Sequence, residues 1–259
     1  MKRQVFTTIS PVIMGVILIT GMLFTGCTAK QEGVKTLFVT GTYGALTRGV
    51  YDGSATVADL KNRGDFALGT FNAIDGEMVG VDGKYYQIGA WGKVTPASDS
   101  MASPNATVTF FKADKVLPID RPMSYAELQQ YLNGQLPTGN IFYAVKVKGT
   151  FDTIKARSLT KLEQPYPATP YSTITQNEPT FDFNNVEGTM MITVSPTYLG
   201  EVSYPGYHAH FISSDGKSGG HVLDGRITKG QAEVEFLPGF TVNLPQNSKF
   251  YQADFAKPK

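Results

Sequence analysis

The chain has 259 residues, 41% of them hydrophobic and 17% charged, with a formal net charge of +1. That length suits one large or two small domains, and the near-neutral charge with no basic stripe excludes an electrostatic footprint for nucleic acid. A single cysteine excludes an internal disulfide, and 27 glycines with few charges favour strands and turns over long helices.

At the N-terminus, "MKRQVFTTISPVIMGVILITGMLFTGC" sets Lys2 and Arg3 before an apolar run from Val12 to Phe24. The run falls short of the roughly 20 residues a spanning helix needs, and it predicts a secretory leader over residues 1–26. The ending Leu23-Phe24-Thr25-Gly26-Cys27 resembles a bacterial lipobox, although phenylalanine stands where leucine is usual. The resemblance implies that Cys27 is lipidated and that the protein is held on the outer face of the membrane; the alternative is plain secretion. Residues 27–35 then form a tether.

Strand-like runs follow. "LFVTGTYG" (37–44) predicts a strand, "VADLKNRG" (57–64) a short helix and "FALGTFN" (66–72) a Gly-bearing strand. In "GEMVGVDGKYYQIG" (76–89), Asp82-Gly83 between alternating runs predicts a hairpin. "ATVTFF" (106–111) is a further strand. "SYAELQQYLNG" (124–134) predicts a helix with Ser124 as N-cap, Glu127 completing a capping box and Gly134 as the stop. "IFYAVKVKGTF" (141–151) alternates Val145 and Val147 with Lys146 and Lys148. The proline-rich "SLTKLEQPYPATPYSTITQNEPTFDF" predicts a linker or crossover. These signals give an α+β class, β-rich, with two mixed or antiparallel sheet subdomains and few short helices. The expected division is an N-terminal subdomain over 36–163 and a C-terminal one over 164–259.

"GYHAHFISSDGKSGGH" (206–221) holds all three histidines of the chain. In a strand, His208 and His210 point to one face. A two-residue turn centred on Asp215-Gly216 would pair Ile212 with Gly219, Phe211 with Gly220 and His210 with His221, leaving His208 on the diagonal. Opposed residues share a face with Cβ atoms about 4.5–5.5 Å apart, so three imidazoles converge. That donor set suits one Zn²⁺ with an open coordination position. The adjacent Gly219 and Gly220 remove crowding, but they also threaten the register.

The same segment, as "PGYHAHFISSDGKSGGHVL" (205–223), is similar to the metal-binding region of bacterial acetolactate decarboxylases. "LKNRGDFALGTFNAIDGEMV" (60–79) resembles that family's first signature, "FYAVKVKGTFDTIKARS" (142–158) its second and "QPYPA" (164–168) the stretch after it. The resemblance covers nearly all of 37–245 and implies loss of CO₂ from 2-acetolactate to give acetoin. It implies that His208, His210 and His221 are zinc ligands, that Glu77 and Arg157 are active-site residues and that Thr70 lines the site. Dimers are common in the family. The chemistry agrees: a Lewis acid can take up the electrons released with CO₂, an arginine can hold the carboxylate bidentately, and a carboxyl group of raised pKa can protonate the enediolate. The tail "SKFYQADFAKPK" departs from the family, in which a second glutamate on a C-terminal extension accompanies some metal sites. No glutamate follows Glu235 here; Asp254, a water or Glu77 alone could serve.

Two other classes compete. One is a lipid-anchored, non-catalytic metal-binding protein, which has no need of a carboxylate-binding Arg157. The other is a cupin-like iron or manganese oxygenase, which a His-x-His pair with a carboxylate also suits.

Overall fold

The computed structural model describes residue 1 and residues 34–256. The expected leader beyond its first residue, Cys27 and all but the end of the tether lie outside the described residues. Among the described residues no helix is long and apolar enough to cross a membrane.

In chain order the strands are β1 (Thr36–Thr40), β2 (Ala55–Thr56), β3 (Phe66–Thr70), β4 (Glu77–Val81), β5 (Lys84–Ile88) and β6 (Val94–Pro96). They continue as β7 (Ala102–Ser103), β8 (Asn105–Thr109), β9 (Lys115–Ile119), β10 (Met123–Ser124), β11 (Phe142–Arg157) and β12 (Thr180–Ser195). The last are β13 (Gly206–Ser213), β14 (Gly219–Leu237) and β15 (Gly239–Asn243). The α-helices are short: α1 (Tyr43–Thr47), α2 (Val57–Lys61), α3 (Tyr125–Asn133), α4 (Tyr171–Asn177) and α5 (Ser248–Gln252).

One sheet runs β15-β1-β8-β3-β4-β5-β6 and is antiparallel apart from the parallel β1–β15 pair. Strands β2 and β7 pair apart in a two-stranded sheet, and the second large sheet runs β10-β14-β11-β12-β13, with β9 also on β14. Its β13 returns to pair with the start of β14, so β14, β11, β12 and β13 form a closed ring. The strand-rich α+β class expected from the sequence is the class observed.

Several local signals act as their chemistry requires. Asp82 (φ 49°) and Gly83 (φ 78°) both take left-handed backbone, which a tight hairpin turn needs. Ser124 and Glu127 form a reciprocal capping box at the start of α3, and Gly134 follows its last turn. Thr56 and Asp59 do the same for α2.

Three expectations change. The strand predicted over 37–44 ends at Thr40, because the Thr42 side chain accepts from the Ala45 N–H and starts α1. The segment read as a linker contains α4, and its "TFDF" opens the long strand β12, where it pairs with the end of β11. The division at 163/164 does not separate the sheets. Strand β15 closes the edge of the first sheet beside β1, and β9 to β11 belong to the second with β12 to β14.

The sheets are joined by an apolar layer: Leu37, Val39, Phe66, Leu68, Val79 and Ile88 meet Phe142, Ala144, Met191, Ile212 and Leu237. Within that boundary Lys146 is buried, because its Nζ lies 2.8 Å from Asp82 Oδ1 and 4.3 Å from the centre of the Phe111 ring. A second core lies between the other face of β11 to β14 and α3, where Val145 and Val147 pack with Leu128 and Leu132.

Candidate active site and metal centre

Register builds the site. His210 pairs directly with His221, Phe211 with Gly220 and Ile212 with Gly219, as the hairpin arithmetic requires. The turn itself differs. Ser213 and Ser218 pair through the backbone, so the loop is Ser214–Lys217 rather than two residues. Asp215 explains the wider loop: its Oδ1 accepts from Ser213 Oγ at 2.6 Å and from the Lys217 N–H at 3.1 Å, while Gly216 takes φ 68°. The register survives because Gly219 is glycine. A Cβ there would stand 2.4 Å from the Phe211 carbonyl oxygen and 2.6 Å from Ile88 Cδ1.

His221 is also paired on its other side with Arg157 of β11, which in turn pairs with Thr180. Opposed residues share a face. One lateral row across the ring therefore carries His210, His221 and Arg157 on the same side of the sheet. His208, two residues before His210, joins that face. The ring centroids lie 4.7 Å (208–210), 5.1 Å (208–221) and 5.3 Å (210–221) apart, and one nitrogen from each lies within 4.8 Å of the others.

The first sheet supplies a facing row. Thr70 of β3 pairs with Glu77 of β4 on one side and with Asn105 of β8 on the other. Glu77 is 3% exposed. Its Oε1 lies 3.2 Å from Arg157 Nη1 and its Oε2 3.4 Å from His210 Nε2. The loop between Thr70 and Glu77 holds Ala73 (φ 61°) and Ile74 (φ 48°) in left-handed backbone, a genuine outlier for a β-branched residue. Ala73 is fixed by hydrogen bonds to Tyr51 and Leu162, and Asn72 bonds in both directions to the Gly53 backbone. Strain of this kind persists where the surroundings over-determine it, and here it sits between two site residues.

The histidines fit a metal ion. His210 Nδ1 lies 2.8 Å from the Met78 carbonyl oxygen, which can only accept, so Nδ1 carries the proton. Nε2 then presents a lone pair, and it is buried with no hydrogen-bond partner. An oriented lone pair without a hydrogen bond, beside two further imidazoles, could hold a metal ion. Burial pushes His210 down to about 4, with Arg157 adding to the effect against the Met78 bond. His208 and His221 are held well below the usual histidine value, mainly by burial and then by neighbouring imidazoles and Arg157. All three are neutral near pH 7, the form that binds metal. Glu77 moves the other way: burial raises it to about 7, against the pull of Arg157.

A cavity of about 360 Å³ opens between the two rows. Thr70, Glu77, Arg157, His208 and His221 all line it, while His210 lies fully buried behind them. Thr70, Glu77, Arg157 and the three histidines are thus brought together. Asp254 is not part of the lining; its carbonyl accepts from Arg48 Nε at 3.2 Å. The carboxylate that does line the cavity besides Glu77 is Glu178, held by the Thr160 N–H at 2.8 Å and Oγ1 at 2.7 Å. Sequence reasoning also missed Asn105 and three tyrosines, Tyr43, Tyr171 and Tyr204. The aromatic residues within the proline-rich "linker" were the available sign that it packs against something.

The family model described as alpha-acetolactate decarboxylase matches residues 37–257. A protein named alpha-acetolactate decarboxylase from Methanosarcina mazei is 41% identical over 221 residues, covering 85% of this chain and 76% of its own length. Its counterpart from Bacillus subtilis strain 168 is 33% identical over 229 residues, covering 88% and 89% respectively. A crystal structure of alpha-acetolactate decarboxylase from that strain superposes with a TM-score of 0.83, covering 86% of this chain and 94% of that one. The chain therefore belongs to the alpha-acetolactate decarboxylase family.

Proposed function

We propose that this carboxy-lyase converts 2-acetolactate to acetoin and CO₂, with one zinc ion held by His208, His210 and His221. The observation that carries the reading is the convergence of three neutral imidazoles, a guanidinium and a protonatable carboxyl group on one cavity.

The ion supplies a Lewis acid for the electrons released as CO₂ departs. The chain's own residues do the rest. Arg157 binds the substrate carboxylate and orients the bond to be broken. That grip weakens as the carboxylate becomes neutral CO₂, so Arg157 acts mainly by positioning. The pair of electrons from the broken C–C bond passes to the ketone oxygen and leaves an enediolate. Glu77, whose burial favours the protonated carboxyl, gives a proton to the enediolate carbon. Once ionised, Glu77 is steadied by Arg157. Thr70 Oγ1 donates its proton to the Gly76 carbonyl at 2.6 Å. It is left with lone pairs, so it can accept from a substrate hydroxyl.

We further infer that Cys27 carries a lipid, that the protein works on the outer face of the membrane, and that it acts as a homodimer. The lipobox-like ending and the family's habit support these readings.

The test is direct. Purified protein lacking residues 1–26 is incubated with racemic acetolactate and acetoin is followed. Acetoin above the spontaneous rate is expected; metal-loaded protein that forms none would overturn the reading.

A further inference from the structure

Tyr171 opens α4 in the segment that sequence reading treated as a linker. Its ring meets Tyr43 edge-on at 6.4 Å and lies 6.3 Å from Tyr51. It packs against the buried group of Leu46, Tyr51, Ile74 and Leu159. The ring is thus anchored at the strained loop that precedes Glu77. The residue also lines the cavity, in company with Glu77 and Arg157. No protein group among the described residues takes the hydrogen bond of its hydroxyl.

Tyr171 is half-buried in the cavity wall, and its hydroxyl is not sealed off from the cavity. Packing fixes its ring, and the hydroxyl bonds no protein group, so it is free to bond an occupant of the cavity. Burial and the negative charge of Glu77 hold the phenol far above its ordinary pKa, against Arg157, so it stays protonated and can donate. A neutral donor beside a guanidinium matches an anionic oxygen. Of the groups on a 2-hydroxy-3-keto acid, the carboxylate is the anion.

We propose that Tyr171 Oη donates a hydrogen bond to the substrate carboxylate that Arg157 grips, making it a substrate-binding residue that selects the carboxylate-bearing substrate over the neutral product. The consequence is release. When CO₂ leaves, acetoin retains neither contact, and the cavity's hold on it falls. This inference rests on the decarboxylase reading above.

The test uses the zinc-loaded protein and two ligands. One is 2-hydroxyisobutyrate, which keeps the hydroxyl and carboxylate of the substrate but has no ketone and cannot react. The other is acetoin. Calorimetric titration of Tyr171→Phe, which keeps the ring and its packing, is expected to show about ten-fold weaker binding of the hydroxycarboxylate, as for a hydrogen bond to a charged group. Acetoin should bind within about two-fold of wild type, since it offers no anion. Unchanged hydroxycarboxylate binding, or equal weakening of both ligands, would overturn the proposal. A second measurement needs no variant. In wild-type protein with ¹³Cζ-labelled tyrosine, one resonance should move with the hydroxycarboxylate and stay still with acetoin; no such resonance overturns it. Acetoin formation by the same wild-type preparation keeps the two readings apart. An inactive wild type defeats the decarboxylase reading, whereas an active wild type with an indifferent Tyr171→Phe defeats this one alone.

Discussion

His210 carries the most constrained imidazole of the three, wholly buried and with its tautomer set by the Met78 carbonyl. Its Nε2 makes no hydrogen bond, with Glu77 Oε2 3.4 Å away, so removing the ring removes the candidate ligand of most fixed orientation. His210→Ala is expected to lose both metal and activity, read by elemental analysis and acetoin formation. Arg157 has a different task. Arg157→Ala should keep the metal and lose about a hundred-fold in kcat/KM, the scale of lost substrate orientation; full activity would remove the orienting role. Glu77 gives a pH test. Its pKa is raised from 4.5 to about 7 in the folded chain. The stability it contributes is therefore fully present below about 4.5 and is lost as pH rises through about 7. In metal-free protein, Glu77→Gln removes that loss. Its Tm should exceed that of wild type by a few degrees at pH 8, with no gain at pH 4, where both side chains are neutral. A bound cation favours the carboxylate, so zinc should shrink the gain at pH 8. Equal Tm differences at the two pH values would contradict the assignment.

Two strand pairs do most of the assembly. The β13–β14 hairpin brings His208 and His210 to His221, and β11 sets Arg157 beside His221 through the closure of the ring. The hairpin was legible because strand alternation and a short turn leave few registers, and the three histidines agreed on one. Its loop length was not legible, since it depends on side-chain hydrogen bonds of Ser213 and Asp215 within the turn. The place of Arg157 was not legible from periodicity either, because which strands pair is decided by non-local contacts; the family resemblance supplied it. Gly219 shows how tightly the hairpin is fitted. Gly219→Ala should cost about 1–3 kcal/mol, as overpacking does, read by urea unfolding. It should also weaken metal binding, because relief of the clash moves β14 at its first residues. By contrast, Ser124→Ala removes the cap of α3, which gives no residue to the cavity lining. It should cost about 1 kcal/mol and leave kcat/KM unchanged.

Over the described chain, the site lies where two sheets meet, and neither sheet carries it alone. β3 and β4 of one sheet bring Thr70 and Glu77, and the ring of the other brings the histidines and Arg157. Strand content, the Asp82-Gly83 hairpin and the capped α3 followed from local chemistry. The interleaving of early and late strands did not, because β15 reaches the edge of the first sheet only through its parallel pairing with β1. The crossover segment was misread for the same reason: its prolines argue for a loop, while Tyr171 and the "TFDF" of β12 act through partners distant in sequence. The central claim for the whole molecule is that one metal ion at the histidines makes the cavity catalytic. Zinc titrated into metal-free wild-type protein, with acetoin formation followed at each addition, tests it most directly. Activity should rise in proportion to bound zinc and level off at about one ion per chain, the complement of one three-imidazole site. Full activity without metal, or stoichiometric zinc with no acetoin, would contradict the account.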